Sequence, residues 1–158
     1  MTRGDDTGLA TAYPEAHDSP GLLLWQVTNR WQSAQRAALK PFGLTHVQFV
    51  LLASLAWLGA EPVTQRRLAD HAATDPMMTS QVLRALERAG LVERRQHPGD
   101  ARAVLVSVTA AGRELANRAV VAVEDCDRQF FGPLGSGVAG FTAGLRRIRD
   151  VAAGASGR

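Results

Sequence analysis

The stretch RRQHPGDARAVLVSVT, residues 94–109, decides how the chain is read. Arg94 and Arg95 run into HPGD, residues 97–100, and Arg102 follows the turn. Val104, Val106 and Val108 then recur at every second position, the period of a strand with one buried face. LVERRQ, residues 91–96, supplies the partner strand. Pro then Gly at the centre of HPGD predicts a type II turn. Hairpins favour the primed turns, so the tip is expected to be longer or looser than two residues. Successive strand residues face opposite ways, so Arg94 and Arg95 cannot meet the same anion. One should face it, and the other solvent or an acid.

Upstream, DPMMTSQVLRALERAG (75–90) predicts a helix with Asp75 as N-cap, Pro76 at the first helical position and Gly90 just past the end. At about 100° per residue, Met78, Val82, Ala85, Leu86 and Ala89 share one side and are expected in the core. Met77, Ser80, Gln81, Arg84 and Arg88 lie opposite, on a face without an acid. Thr64 caps a short helix, QRRLADHA (65–72). Thr45 and Gln48 form a capping box for an earlier helix, whose Phe49, Leu51, Leu52, Leu55 and Leu58 make it central, and Gly59 stops it. Helix, short helix, turn, helix and basic hairpin make a winged helix-turn-helix. The expected class is mainly α with a small β-hairpin wing (α+β).

The ends are different. Residues 1–18 are polar and net acidic and read as a mobile tail. Ser19 and Pro20 start a helix striped with Leu24, Val27, Trp31, Ala34 and Ala38, which Pro41 ends. Thr109 caps a long helix striped with Leu115, Ala119, Val123, Cys126 and Phe130. Glu114–Arg118 and Glu124–Arg128 are spaced as i,i+4 pairs. FGPLGSG (131–137) reads as a loop, and Val138, Phe141, Leu145 and Ile148 stripe a last helix. The compact middle cannot bury three such stripes, but a second copy can. The division is therefore 43–109 for the winged helix-turn-helix, with 19–42 and 110–152 as dimerisation helices.

Composition narrows the function. The chain has 158 residues, 46% of them hydrophobic, which is enough for a core. Net charge is only +3, with a pI near 10.0, so the placement of charge matters more than its sum. Lys40 is the single lysine among 18 basic residues, and arginine suits bidentate contacts to phosphate and guanine. The longest apolar run, residues 49–60, falls short of the ~20 residues of a membrane span. No signal-peptide pattern opens the chain, and the lone Cys126 forms no internal disulfide; both fit the cytoplasm. His17, His46, His71 and His97 lack zinc spacing, and Asp70-His71 reads as a helix end, so neither metal nor cofactor is expected. No nucleophile with a base, paired carboxylates or phosphate loop argues for an enzyme. Trp25, Trp31, His46 and Trp57, with Tyr13, are candidates to line an effector pocket, although packing is the commoner role of such residues.

FGLTHVQFVLLASL (42–55), VTQRRLADHA (63–72), MMTSQVLRALERAGLVERR (77–95) and GDARAVLVSVTAAG (99–112) resemble successive segments of the MarR family of bacterial transcription regulators. The resemblance extends over about residues 20–150. It implies a homodimer of winged helices whose terminal helices interlock, binding double-stranded DNA at an inverted-repeat operator. It also implies a repressor released by a small aromatic or phenolic anion held between the dimer base and the DNA-binding lobes, or in some members by cysteine oxidation. The opening DPMM departs from the Ser, Thr or Lys usual there, which bears on base preference. In the family, an Asp and Arg matching Asp100 and Arg102 cooperate, the acid orienting the guanidinium. The candidate DNA contacts are Thr64, Gln65, Met77, Ser80, Gln81, Arg84, Arg88, Arg94, Arg95, Asp100 and Arg102. Two alternatives stay open: a winged helix that binds protein instead of DNA, and a redox regulator acting through Cys126.

Overall fold

The computed structural model describes residues 8–155. The helices are α1 (Pro20–Leu39), α2 (His46–Leu58), α3 (Gln65–Ala72), α4 (Pro76–Arg88), α5 (Ala110–Phe131) and α6 (Val138–Ala155). The strands are β1 (Val63–Thr64), β2 (Val92–His97) and β3 (Asp100–Val108). The expected mainly helical class with a small β wing is what the chain adopts. Residues 1–7 of the anticipated tail lie outside the described residues. Just before α1, Ala16–Asp18 forms a 3-10 turn, with the Glu15 backbone N–H donating to Asp18.

The helix starts are local chemistry. The side chains of Ser19, Thr45, Thr64, Asp75 and Thr109 each accept a backbone N–H from the first turn of the helix that follows. Gln48 closes the capping box by accepting from the Thr45 N–H at 3.0 Å. Gly90 has φ 72°, and α4 ends in a Schellman motif: Leu91 N–H donates to Leu86 O and Gly90 N–H to Glu87 O.

β3 is the central strand, pairing antiparallel with β2 and with β1. The hairpin reading missed β1, because two residues are too short to show alternation. Val106 is wholly buried, and Val104 and Val108 pack beside it on the predicted face. The turn differs from expectation. Gly99 is not among the positive-φ glycines, so the tip is not type II. Nor is it longer than two residues: Pro98 and Gly99 alone span it, and the irregularity lies below the tip. The register shifts after Gln96↔Val104, so that His97 pairs with Asp100.

The core lies under α2, with Leu51, Leu52, Leu68, Leu83, Leu86, Val92 and Val106 at 2% exposure or less. The inward face of α4 also needs correction. Thr79, Leu83 and Leu86 are buried, whereas Met78 and Ala89 are exposed. The true face is rotated by roughly 60° from the expected one. Thr79 misled the wheel because its burial is polar. Its hydroxyl bonds Asp75 O at 2.8 Å and Thr74 Oγ1 at 2.7 Å.

On α5 the fully buried residues are Gly112, Ala116, Ala119 and Val123, with Leu115, Cys126 and Phe130 only partly covered. Arg128 pairs with Asp125 one turn back and not with Glu124, the i,i+3 acid being in better reach. FGPLGSG is a 3-10 segment, Gly132–Gly137, broken at Gly135. Phe131 packs on Phe130 and Phe141 and so ties α5 to α6. No residue of α6 is buried. Among the described residues no single helix is long and apolar enough to cross a membrane.

Candidate nucleic-acid interface

Three elements build a basic surface: α3, α4 and the β2–β3 wing. α4 is held at both ends. Asp75 caps its start by accepting from Met78 N–H at 2.9 Å. Past its end, Thr109 Oγ1 donates to Gly90 O and Thr109 N–H to Leu91 O, which binds the helix terminus to the start of α5. With Leu83 and Leu86 inward, the opposite face presents Met77, Gln81, Arg84 and Arg88 to solvent and Ser80 half-buried. Met77 is 72% exposed, which leaves its thioether free to make an apolar contact. No acid pairs with Arg84 or Arg88 among the described residues.

The wing separates its arginines. Arg95 is exposed. Arg94 turns inward, where Nη2 donates to Gln65 Oε1 at 3.3 Å and Nη1 lies 3.9 Å from Glu87 Oε2. One arginine therefore leans on an acid, as strand alternation requires. Gln65 is engaged by this contact, and the Thr64 hydroxyl by its cap on Arg67 N–H at 3.1 Å.

The tip is held by side chains. His97 Nδ1 accepts from Gly99 N–H at 2.9 Å, and Gln96 Nε2 donates to Ala101 O at 2.9 Å. Asp100 Oδ1 accepts from the backbone N–H of Arg102 at 2.9 Å. The anticipated contact between carboxylate and guanidinium is therefore replaced by one to the backbone. A short Asp side chain naturally reaches the N–H two residues on. Asp100 fixes the loop, and the Arg102 side chain extends from it into solvent. Arg66 and Arg67, exposed on α3, belong to the same basic surface and were not singled out from sequence. Their adjacency on a short helix was the available signal.

The aromatic candidates do not converge. Trp57 is 84% exposed on α2 and Trp25 69% exposed on α1. Trp31 and His46 do meet, ring edge to face, with centroids 5.0 Å apart. Asp127 of α5 joins them, its Oδ1 accepting from Trp31 Nε1 at 2.7 Å and from Gln35 Nε2 at 2.6 Å. Gln35 is wholly buried, and its Oε1 has no partner. Burial, then the charge of Arg36, pushes the His46 pKa down, against an upward pull from Asp127. Burial, then Asp127, pushes the Cys126 thiol up. Gln35 and Asp127 could not be anticipated, since a residue 92 positions away supplies the link.

The MarR family model matches residues 44–104, the span of this surface and its supports. A relative in Bacillus subtilis, the uncharacterized HTH-type transcriptional regulator YdcH, is 49% identical over 115 residues, 72% of this chain and 78% of the relative. The chain belongs to the MarR family. It is thus a DNA-binding transcription regulator of the helix-turn-helix type. An HTH-type transcriptional repressor of Mycobacterium tuberculosis is 38% identical over 113 residues, 71% of this chain and 80% of that one. The fold matches a MarR-family regulator from Rhodococcus sp. RHA1 with a TM-score of 0.79 and 30% identity, covering 86% and 96% of the two chains. CouR from Rhodococcus jostii RHA1, bound to p-coumaroyl-CoA, gives 0.72 and 29%, covering 88% and 92%. A mutant of Escherichia coli MarR complexed with operator DNA gives 0.73 and 26%, covering 81% and 91%.

Proposed function

We propose that this MarR-family chain acts as a homodimeric repressor, with α4 in the major groove and the wing beside it. The observation that carries the reading is the outward face of α4, where Met77, Gln81, Arg84 and Arg88 are exposed and no acid pairs with Arg84 or Arg88 among the described residues, on a helix capped at Asp75 and tied at its end to Thr109. Gln81 suits adenine, Arg84 guanine, and Met77 a thymine methyl. Arg88, Arg95 and Arg102 supply phosphate and minor-groove charge. Ser80 lies on the same face as a further contact, and Thr64, Gln65, Arg94 and Asp100 hold these groups in place. Dimerisation through 19–42 and 110–152 gives two readers related by a two-fold, and hence an inverted repeat with half-site centres ~10 bp apart. Selection of bound duplexes from random DNA tests this, and a direct repeat or an asymmetric site would overturn it. In the selected operator, Arg84→Ala should cost ~1–3 kcal/mol and relax preference at one base pair.

The effector of this reading is a small phenolic or aromatic anion at the junction of α1, α2 and α5. The unpartnered Gln35 Oε1 would accept from a phenolic hydroxyl once the junction opens to admit one, since Gln35 is wholly buried, and Arg36 supplies positive charge that Asp127 partly offsets. Hydroxylated aromatic acids should release the DNA and raise the melting temperature, and Gln35→Leu should remove both effects. No release by any such acid would overturn this assignment. The raised Cys126 pKa supports a protonated, unreactive thiol, against a redox switch.

A further inference from the structure

We propose that Arg94 is a positioning residue that locks the wing to α4 and sets base discrimination without touching DNA. The proposal rests on α4 reading bases. Arg94 stands on β2, its partner Gln65 on α3 and its partner Glu87 on α4. One guanidinium therefore joins all three elements of the basic surface. The Arg94 side chain is only 17% exposed, against 45% for Glu87. Its Nε is buried and has no hydrogen-bond partner.

Such an arrangement is a poor device for stability. A buried donor left unpaired costs about 1–3 kcal/mol. Replacing a buried charged group and its partner by apolar residues is often neutral or better. A planar fork fixes direction instead: Nη2 donates to Gln65 on α3, while Nη1 draws Glu87 of α4 by charge across 3.9 Å. Groups that read base edges must be held to within about 0.5 Å, and a rotation of α4 against the wing would lose that. Arg95, which pairs with Leu105 across the sheet while Arg94 pairs with Val106, is on the other strand face and is the arginine free to meet phosphate. The Arg94–Glu87 pair carries no net charge, so phosphate attraction and base discrimination should come apart when the pair is removed.

The test compares the full chain on its selected operator and on a random-sequence duplex of equal length, across a series of KCl concentrations. Arg94→Met combined with Glu87→Gln removes the clamp at constant net charge. Gln65→Leu removes its neutral arm and leaves both charges, so it decides the matter if the double variant does not fold. Both should lower the ratio of operator to random affinity about tenfold, the value of one hydrogen bond to a charged group, with the salt slope unchanged. A slope reduced by about 1 with the ratio intact would make Arg94 a phosphate contact and overturn the proposal. No change in either quantity would reduce it to packing and overturn it equally. Arg84→Ala is measured alongside. If it alters discrimination and the clamp variants do not, only the clamp fails; if none of them does, the reading of α4 fails too.

Discussion

Leu83 and Leu145 are both leucines on amphipathic helices, yet Leu83 is wholly buried and Leu145 is 42% exposed. The contrast holds for whole regions. In the middle of the chain α2, α3, α4 and the sheet close over one another, and each fully buried Leu or Val contributes about 1.5–3 kcal/mol. At the ends, Leu22, Leu23, Leu24, Trp25 and Val27 of α1, and Val138, Phe141, Leu145, Ile148 and Val151 of α6, stay in solvent. The middle satisfies its hydrophobic pattern within one chain, with Leu39 of α1 and Ala116, Ala119 and Val123 of α5 joining its core, while the start of α1 and α6 are patterned for a surface the chain does not itself provide. On α6 these residues recur three or four positions apart along one face, and an exposed apolar face of this kind marks an interaction site.

The sharpest way to break the contrast is at the seam between the regions. Gly112, in the first turn of α5, lies under the strand that leaves α4. A Cβ there would overlap the Leu91 carbonyl oxygen, with its carbon at 2.9 Å and Val108 Cγ2 at 3.0 Å. Alanine gains up to about 1 kcal/mol in helix propensity. A backbone overlap cannot be relieved by a rotamer, so Gly112→Ala should destabilise by roughly 3 kcal/mol, the upper part of the overpacking range. Urea unfolding measures this, and an unchanged midpoint would mean the seam is looser than the structure has it.

Next in size is the exposed end. Phe141→Asp with Leu145→Asp should turn a species of about twice 16.9 kDa into a 16.9 kDa monomer in sedimentation at micromolar concentration. Operator affinity should fall about 100-fold, since two tethered half-site contacts become independent. Melting should hardly move, because no residue of α6 is buried; a large loss of stability would show that α6 supports the core to which α1 and α5 contribute Leu39, Ala116, Ala119 and Val123.

The wing gives a smaller effect. Arg102→Ala should weaken binding to all sequences and lower the salt slope by about 1. Asp100→Ala frees the Arg102 N–H, and loss of this local bond should weaken binding by about 1 kcal/mol although a negative charge is removed. Tighter binding would mean that bare charge, not loop geometry, governs the tip.

The smallest expected effect is on pH. The His46 pKa is depressed in the fold below its ordinary 6.5, so the unfolded chain binds the extra proton first. Its contribution is full above pH 6.5 and declines as pH falls through that value towards the folded pKa. Melting temperature against pH should slope less in His46→Asn than in the parent below this point. Parallel curves would show that the α1–α2–α5 junction does not sense the proton.

Local rules carried most of the middle. Caps at Ser19, Thr45, Thr64, Asp75 and Thr109, the stop at Gly90 and the valine alternation of β3 are properties of a few neighbouring residues, and so are written in sequence. The outward face of α4 was legible for the same reason, because Met77, Gln81, Arg84 and Arg88 are polar or long at helical spacing. The inward face of α4 was missed although its partners are local: the Thr79 hydroxyl is satisfied by Thr74 and Asp75, which a hydrophobicity pattern does not encode. What needed the tertiary structure was every property set by a distant partner. β1 exists because β3 passes beside it. Arg94 and Arg95 are alike in sequence, and only the pleat and the position of Glu87 separate them. Trp31, Gln35, His46 and Asp127 come together only when α5 folds back on α1 and α2. Gly112 is a glycine because a carbonyl from another element lies against it, and residue spacing alone carries no record of that approach.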